Sequence, residues 1–191
     1  EMSASLVGSE MCIRDRVGNG FRKLIQRALP EEKQKDEMFL DEAVDQFSKA
    51  YQKRYLNKTI PYEGILKLLE TLEEKGIKIA VNSNKRGDYT SALVNKYFSQ
   101  FPWVAVYGER EREGIPKKPD PSAALEIANH MNLPAEEVLY IGDSKTDMET
   151  GQNAKMDTIG VAWGFRGAEE LRENNATYIV EKPEAILEYV I

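Results

Sequence analysis

Two aspartates four residues apart are the strongest chemical signal in this sequence. Asp143 follows a short apolar run at residues 138–141, and Asp147 lies on the first turn of the helix predicted to come next. A spacing of four residues places both carboxylates on one face at the start of that helix. Paired carboxylate oxygens suit a hard cation such as Mg²⁺, while Asp143 or Ser144 could instead serve only as a helix cap.

Ser83 and Lys118 are the other residues whose types and positions could do chemistry. Ser83 follows the apolar run at residues 77–81, where its hydroxyl and the Asn84 backbone N–H could hold a phosphoryl oxygen. Lys118 lies in the loop 117–121, whose two prolines fix its direction, and its ammonium could neutralise phosphate and carboxylates. Each residue also has an ordinary alternative: a cap or turn for Ser83, and exposed surface for Lys118.

An alternation of strands and helices must position these groups. From residue 61 onward, short apolar runs alternate with stretches of helical periodicity, which favours an α/β fold with a doubly wound parallel sheet. In such a sheet, ligands bind beyond the carboxyl ends of the strands, where the candidate residues stand. The predicted strands cover residues 77–81, 104–107, 138–141, 158–162 and 178–180.

The part of the chain before residue 61 has a different character. Residues 17–60 carry two stretches of helical periodicity and no strand pattern, which predicts a separate helical segment ahead of the α/β core at residues 61–191. Residues 1–16 show neither pattern, and the string at residues 11–15 can be encoded by a sequencing-library adapter. We therefore expect residues 1–16, which include Cys12, to be a non-native segment.

Composition excludes several classes of function. The net charge is −6 and the basic residues are scattered, so a nucleic-acid partner is not expected. The sequence has no run of ~20 apolar residues that would span a membrane, and we expect a cytoplasmic protein. One cysteine and one histidine exclude a cysteine-based zinc site and any mechanism that needs two histidines. We expect His130 and Arg110 to lie on the solvated surface.

The motifs also occur in an order that resembles a known family. Ser83-Asn84-Lys85, Lys118-Pro119-Asp120-Pro121 and Gly142-Asp143-Ser144, with Asp147 three residues after Ser144, resemble the second, third and fourth motifs of the haloacid dehalogenase-like hydrolases. The resemblance spans residues 17–191 and is greatest to the phosphoglycolate phosphatase branch. It implies a Rossmann-like hydrolase core at 61–191 and part of an all-α cap at 17–60.

The resemblance implies hydrolysis of a phosphomonoester through an aspartyl-phosphate, with Mg²⁺ as cofactor and a small phosphorylated metabolite, phosphoglycolate first, as substrate. By that resemblance, Ser83 and Asn84 bind the phosphoryl group and Lys118 balances charge. Asp143 ligates Mg²⁺, and Asp147 orients Lys118 or metal-bound water, or is an accessory ligand. The alternatives are a pyrophosphatase, a sugar-phosphate mutase, a less favoured carbon–halogen hydrolase, or a non-catalytic binding relative.

The sequence departs from the family pattern in two places. The first family motif, Asp-x-Asp-Gly-Thr at the end of a strand, is absent, and no Asp-x-Asp occurs in the 191 residues. We therefore expect the nucleophile and the central first strand to be missing, with the strands at 77–81 and 138–141 flanking the gap ~10 Å apart. Lys155 stands where relatives carry glycine, which predicts a positive φ at a lysine.

Overall fold

The computed structural model describes residues 20–164 and 166–190, and the chain divides at residues 60 and 61 into two compact units. The predictions for residues 1–16 and for Cys12 lie outside the described residues. Among the residues described, no helix is long and apolar enough to cross a membrane.

Two helices pack against each other in the described part of the first unit. Helix α1 spans Gly20–Ala28 and helix α2 spans Glu37–Arg54. Asp36 caps α2, because its side chain accepts a hydrogen bond from the Phe39 backbone N–H at 3.1 Å. The ring of Phe21 on α1 lies edge-on to the Phe47 ring of α2, with 4.9 Å between ring centroids. The two predicted amphipathic helices are therefore present.

The second unit alternates strands and helices along the chain, as the apolar pattern predicts. Its elements are α3 (Ile65–Glu74), β1 (Ile79–Arg86), α4 (Gly87–Phe98), β2 (Trp103–Glu109), α5 (Ser122–Met131), β3 (Leu139–Gly142), α6 (Lys145–Asn153), β4 (Asp157–Val161), α7 (Ala168–Glu173) and β5 (Tyr178–Val180). Short 3₁₀ turns cover Glu111–Glu113, Ala135–Glu137 and Pro183–Tyr189. The predicted α/β class is confirmed.

The described strands form two parallel sheets. Strand β1 pairs with β2, while β3 pairs with β4 and β4 with β5, all in parallel. Within residues 20–164 and 166–190, no backbone pairing joins β1 to β3. The expected ~10 Å separation of these two strands stays a prediction.

Helices cover both faces of the gap between β1 and β3. On one face, α3 packs in a single apolar cluster with Ile79 of β1 and Leu139 of β3. On the other face, α5 packs against Tyr140 of β3 through Ala124, and against the Ala80 region of β1 through its other residues. Because neighbouring residues of a strand point to opposite faces, α3 and α5 must lie on opposite sides of the sheets.

Three sequence predictions need correction. Strand β1 begins at Ile79 and continues to Arg86, beyond the predicted end at residue 81, because Arg86 still pairs with Glu109 of β2. Ser83 therefore lies within the strand. The segment Pro183–Tyr189 is a 3₁₀ helix where an α-helix was predicted.

The third correction concerns Arg110, which is not a solvated surface residue. Its side chain is only 15% exposed, and its guanidinium group makes two hydrogen bonds to the Glu126 carboxylate, at 2.6 and 3.1 Å. The same group lies over the Tyr107 ring, 3.7 Å from the ring centroid. Two partners from different elements therefore draw this arginine into the fold.

Candidate active site

The ammonium group of Lys118 joins the middle of β1 to the first turn of α6, the helix that follows β3. It lies 2.7 Å from Oδ1 of Asp147 and donates a second hydrogen bond to the Asn82 carbonyl oxygen at 3.1 Å. Asn82 belongs to β1, and Asp147 lies on the first turn of α6, directly after β3. Both side chains of the ion pair are buried, with 13% of Lys118 and 9% of Asp147 exposed.

The surroundings of Lys118 keep it charged. Burial lowers the pKa of its ammonium, but the opposing influence of Tyr140 and Asp147 is greater, so the net pKa is raised. Burial also raises the pKa of the Tyr140 phenol, against the influence of Lys118. Tyr140 is therefore a neutral phenol at physiological pH, and its oxygen accepts a 3.0 Å hydrogen bond from Asn82 Nδ2.

The side chain of Asn84 clamps the backbone of Lys118. Asn84 Oδ1 accepts from the Lys118 backbone N–H at 2.9 Å, and Asn84 Nδ2 donates to the Lys118 carbonyl oxygen at 3.1 Å. Asn153 Nδ2 holds the next residue by donating to the Pro119 carbonyl oxygen at 2.9 Å. These three bonds fix the loop that carries the ammonium group, a task that the sequence does not assign to Asn84.

Ser83 stands between two of these contact residues. Its hydroxyl oxygen accepts a hydrogen bond from the Lys85 backbone N–H at 3.1 Å. A serine oxygen that accepts from the backbone still has its own proton to donate. Ser83 can therefore offer an O–H donor one residue along β1 from Asn82, whose carbonyl oxygen holds the Lys118 ammonium.

Two glycines make room for the two carboxylates. A Cβ added at Gly142 would lie 2.2 Å from Cβ of Asp147, and one added at Gly164 would lie 2.1 Å from Cβ of Asp143. Only glycine fits at such distances. Oδ2 of Asp147 also accepts a 2.6 Å hydrogen bond from the Ser144 hydroxyl, so both of its oxygens have partners.

The donor set fits a hard cation that takes few protein ligands. No cluster of three or more His, Cys, Asp or Glu side chains occurs in the part of the chain that the structure describes. Mg²⁺ is commonly held by one or two carboxylates and several waters. Asp143 and Asp147 fit that pattern.

Sequence reasoning gave no role in this site to Asn82 or Tyr140, and it gave Ser144 only a place in a motif and a possible helix cap. Asn82, Tyr140 and Ser144 each bond to another site residue or bridge to the opposite strand. Tyr140 lies inside the apolar run of β3, where its ring gives a packing signal and its hydroxyl none. Asn82 is the first polar residue after the apolar run of β1, and this position was its only available signal.

Comparison with known proteins agrees with these features. The sequence profile of the family described as haloacid dehalogenase-like hydrolase matches residues 8–161. The phosphoglycolate phosphatase of Psychrobacter arcticus is 32% identical over 186 residues, a match that covers 94% of this chain and 79% of that protein. That of Pseudomonas syringae pv. tomato is 26% identical over 174 residues, covering 88% of this chain and 62% of the relative.

Solved structures show the same fold. A Lactobacillus delbrueckii subsp. bulgaricus protein, assigned as a phosphoglycolate phosphatase, superposes with a TM-score of 0.83 at 31% identity over 94% of this chain and 82% of that one. A haloacid dehalogenase-like family hydrolase from Streptococcus pneumoniae reaches 0.79 at 19% identity, over 96% of this chain and 82% of its own. The chain therefore belongs to the haloacid dehalogenase-like hydrolase family, on its phosphoglycolate phosphatase-like branch.

Proposed function

We propose that this chain carries the phosphoryl-binding and cation-binding half of an Mg²⁺-dependent phosphomonoesterase that acts on a small phosphorylated metabolite. Phosphoglycolate is the first candidate substrate, because the relatives over most of this chain are phosphoglycolate phosphatases. The observation that carries the proposal is the contact of Lys118 with Asn82 of β1 and Asp147 of α6. It concentrates one buried positive charge between the middle of β1 and the start of α6, directly after β3.

The residues then take the following parts. Ser83 donates its hydroxyl proton to a phosphoryl oxygen, and the Asn84 backbone N–H is a second candidate donor. Lys118 offsets the negative charge of the phosphoryl group, and the Asn84 side chain holds the Lys118 backbone in place. Asp147 fixes the direction of the Lys118 ammonium through its 2.7 Å contact.

The carboxylates Asp143 and Asp147 would hold the cation, with Asp143 as the direct ligand and Asp147 as an accessory one. When bound, Mg²⁺ supplies charge stabilisation to the oxygens of the transferred phosphoryl group. The positions of Gly142 and Gly164 support this assignment, because each glycine admits one carboxylate at a distance that a Cβ would forbid.

One part of the reaction has no residue in this chain. An aspartate nucleophile followed two residues later by a second aspartate does not occur in the 191 residues. We therefore expect the chain to bind a phosphorylated ligand and not to turn it over. A non-catalytic binding relative is the second candidate function.

The test compares the chain as written with a variant that carries an added Asp-x-Asp-Gly-Thr strand before residue 20. We expect background phosphate release from phosphoglycolate for the first and Mg²⁺-dependent release for the second. Mg²⁺-dependent turnover by the unmodified chain would contradict the proposal. A folded strand-restored variant that binds phosphoglycolate and releases no phosphate would favour the binding-only function.

A further inference from the structure

The first turn of α6 takes its cap from another helix. Ser144 is the N-cap residue, and within the described part of the chain its side chain accepts none of the helix N–H groups. Its hydroxyl is instead donated to Oδ2 of Asp147 at 2.6 Å. The Lys145 backbone N–H, one of the donors that a helix start leaves without an intrahelical acceptor, donates to Oε1 of Glu170 at 2.9 Å. Glu170 lies on α7, 25 residues further along the chain.

Two neighbours fix the position of Glu170. The next residue, Leu171, is fully buried and packs over Gly160 of β4, where an added Cβ would lie 3.0 Å from Leu171 Cδ1. Oε2 of Glu170 lies 3.9 Å from Nε of Arg166, so the two carboxylate oxygens face different partners. The carboxylate therefore has a defined place relative to β4 and a defined oxygen turned toward α6.

A second set of contacts joins α6 and α7 at their other ends. Gln152 Nε2 donates to the carbonyl oxygens of Asn174 at 2.7 Å and Asn175 at 3.1 Å. Asn174 Nδ2 in turn donates to the Glu170 carbonyl oxygen at 2.7 Å. Bonds between side chain and backbone therefore join the two helices at both ends, and Glu170 supplies the bond at the end where α6 begins.

The segment that Glu170 holds carries both proposed cation ligands. Lys145 lies two residues after Asp143 and two before Asp147. Glu170 and Gly164 both belong to the segment that follows β4, and Gly164 makes room for the Asp143 side chain. One segment therefore contacts the carboxylate-bearing turn at two points, through Gly164 and through Glu170.

We propose that Glu170 is a positioning residue: its carboxylate caps α6 and thereby holds Asp143 and Asp147 where they can share one Mg²⁺ ion. The part that concerns Mg²⁺ rests on the proposed function. Glu170 acts through the Lys145 N–H, since among the described residues it forms no cluster of three carboxylates with the two aspartates. This role needs an acceptor oxygen and does not need negative charge, and that difference can be tested.

Nuclear magnetic resonance of the isotope-labelled full chain gives both readouts. The exchange rate of the Lys145 amide reports the cap, and the Mg²⁺ concentration that half-saturates the shifts of amides 143–147 reports the proposed site. We expect Glu170→Ala to raise both quantities at least ~5-fold, because it removes the cap. A parent-like value of either quantity in folded Glu170→Ala would overturn the proposal.

Glu170→Gln separates position from charge. The amide oxygen of glutamine can still accept the Lys145 N–H, so we expect both quantities to stay within ~2-fold of the parent. A loss as great as that of Glu170→Ala would show that negative charge at the helix start is what matters, and would overturn the positioning role. Glu169 is the matched control, because it is the exposed neighbour on α7. Equal effects of Glu169→Ala and Glu170→Ala would contradict the proposal.

Lys145→Pro tests the same bond from the donor side. Proline lacks the N–H and is tolerated at the first residue of a helix. Ser144 before it already has the extended backbone that a proline requires, with φ at −141° and ψ at 160°. Lys145→Ala keeps the N–H and controls for the lost side chain. This pair of variants keeps the test decisive if Glu170→Ala does not fold.

The donor and acceptor variants should act as one. We expect Lys145→Pro to raise the half-saturating Mg²⁺ concentration as much as Glu170→Ala does, Lys145→Ala to leave it unchanged, and the double variant to show no further rise. Additive effects of Lys145→Pro and Glu170→Ala would overturn the proposal. A parent chain whose amides 143–147 do not respond to Mg²⁺ would contradict the Mg²⁺ assignment of the proposed function. A response in the parent that Glu170→Ala leaves unchanged would overturn the inference about Glu170 alone.

Discussion

Lys118 and Asp147 form a buried ion pair, 2.7 Å between Nζ and Oδ1, that links two sheets with no backbone pairing among the described residues. The pair stands 29 residues apart in sequence. Its ammonium group also binds the Asn82 carbonyl oxygen of β1. The contact therefore has a structural part, holding β1 near α6, and a proposed chemical part, offsetting phosphoryl charge.

Removal of either partner should destabilise the fold. We expect Lys118→Met or Asp147→Leu to lower the free energy of unfolding by ~3–5 kcal/mol, because each leaves an uncompensated buried charge. The double variant should lose less than the sum of the two, since it leaves no lone charge. Urea unfolding of the four proteins measures the coupling.

The pair between Lys145 and Glu149 on α6 is the matched control. Its side chains are 57% and 37% exposed and lie 3.5 Å apart. We expect Lys145→Met to change stability by less than ~1 kcal/mol. Equal losses in the buried and the exposed pair would contradict the part assigned to Lys118.

The Asn84 clamp predicts a positioning effect on the Lys118 loop. Asn84→Ala removes two hydrogen bonds to the Lys118 backbone, whereas Asn153→Ala removes one to the Pro119 carbonyl. We expect faster amide exchange over residues 117–121 in both variants, with the greater effect in Asn84→Ala, at a cost of about 1–3 kcal/mol per buried group left unpaired. Exchange that is unchanged in Asn84→Ala would show that the loop is held by other contacts.

Activity of the strand-restored variant should depend on the charged groups of the site. In that variant, Asp143→Asn and Lys118→Met should each lower kcat/KM for phosphoglycolate by at least ~10²-fold, because each removes a charge that acts on the transition state. For Asp143→Asn, the Mg²⁺ concentration needed for half-maximal activity should also rise. Near-normal turnover in either variant would refute the role proposed for that residue.

The sequence predicted neither where β1 ends nor which residues far apart in the chain make contact. The apolar run at residues 77–81 predicts a strand, yet β1 continues to Arg86 because backbone pairing with β2 continues through polar residues. The motif spacing predicts Ser83, Lys118, Asp143 and Asp147 as site residues, whereas the Asn84 clamp joins residues 34 positions apart. A contact of that kind depends on how elements pack, and no local pattern in the sequence encodes it.

Packing between elements also explains why the Arg110 side chain is buried. A charged residue after a strand is usually solvated, and no local pattern around Arg110 indicates its partners. Glu126 comes from α5, 16 residues further along the chain, and Tyr107 comes from β2. The packing of α5 against β2 therefore decides the position of this side chain.

The Arg110–Glu126 pair predicts a pH dependence of stability. The hydrogen bonds from Arg110, opposed by burial and aided by Tyr107, lower the pKa of Glu126 below its ordinary value of 4.5. A carboxyl group with a lowered folded-state pKa stabilises the fold above its ordinary pKa, and this contribution is lost as pH falls through the folded-state value. We expect Glu126→Gln to be less stable than the parent at neutral pH, and we expect this difference to shrink as the pH falls below the ordinary pKa of the carboxyl group.

Urea midpoints over that pH range measure the difference. Glu111 is the matched control, since its side chain is 52% exposed and pairs with Lys117 at 2.6 Å. We expect Glu111→Gln to have little effect at any pH, because exposed pairs contribute little. A difference between the parent and Glu126→Gln that stays constant below the ordinary pKa of the carboxyl group would contradict the link to ionisation of Glu126.

The end of α6 gives the last prediction, because the sequence expectation of a positive φ at Lys155 is confirmed, with φ at 59°. The Lys155 N–H donates to the Gln152 carbonyl at 3.0 Å and the Met156 N–H to the Gly151 carbonyl at 2.9 Å, which is the geometry of a Schellman cap. A lysine in this conformation costs ~1–2 kcal/mol relative to glycine, less the backbone entropy that glycine loses on folding. We therefore expect Lys155→Gly to raise the free energy of unfolding by about 1 kcal/mol.

Asn132 ends α5 with φ at 52° and is the matched control. Because asparagine tolerates this region, Asn132→Gly should change the free energy of unfolding by less than ~0.5 kcal/mol. A loss of stability in Lys155→Gly would show that the lysine side chain makes a compensating contact.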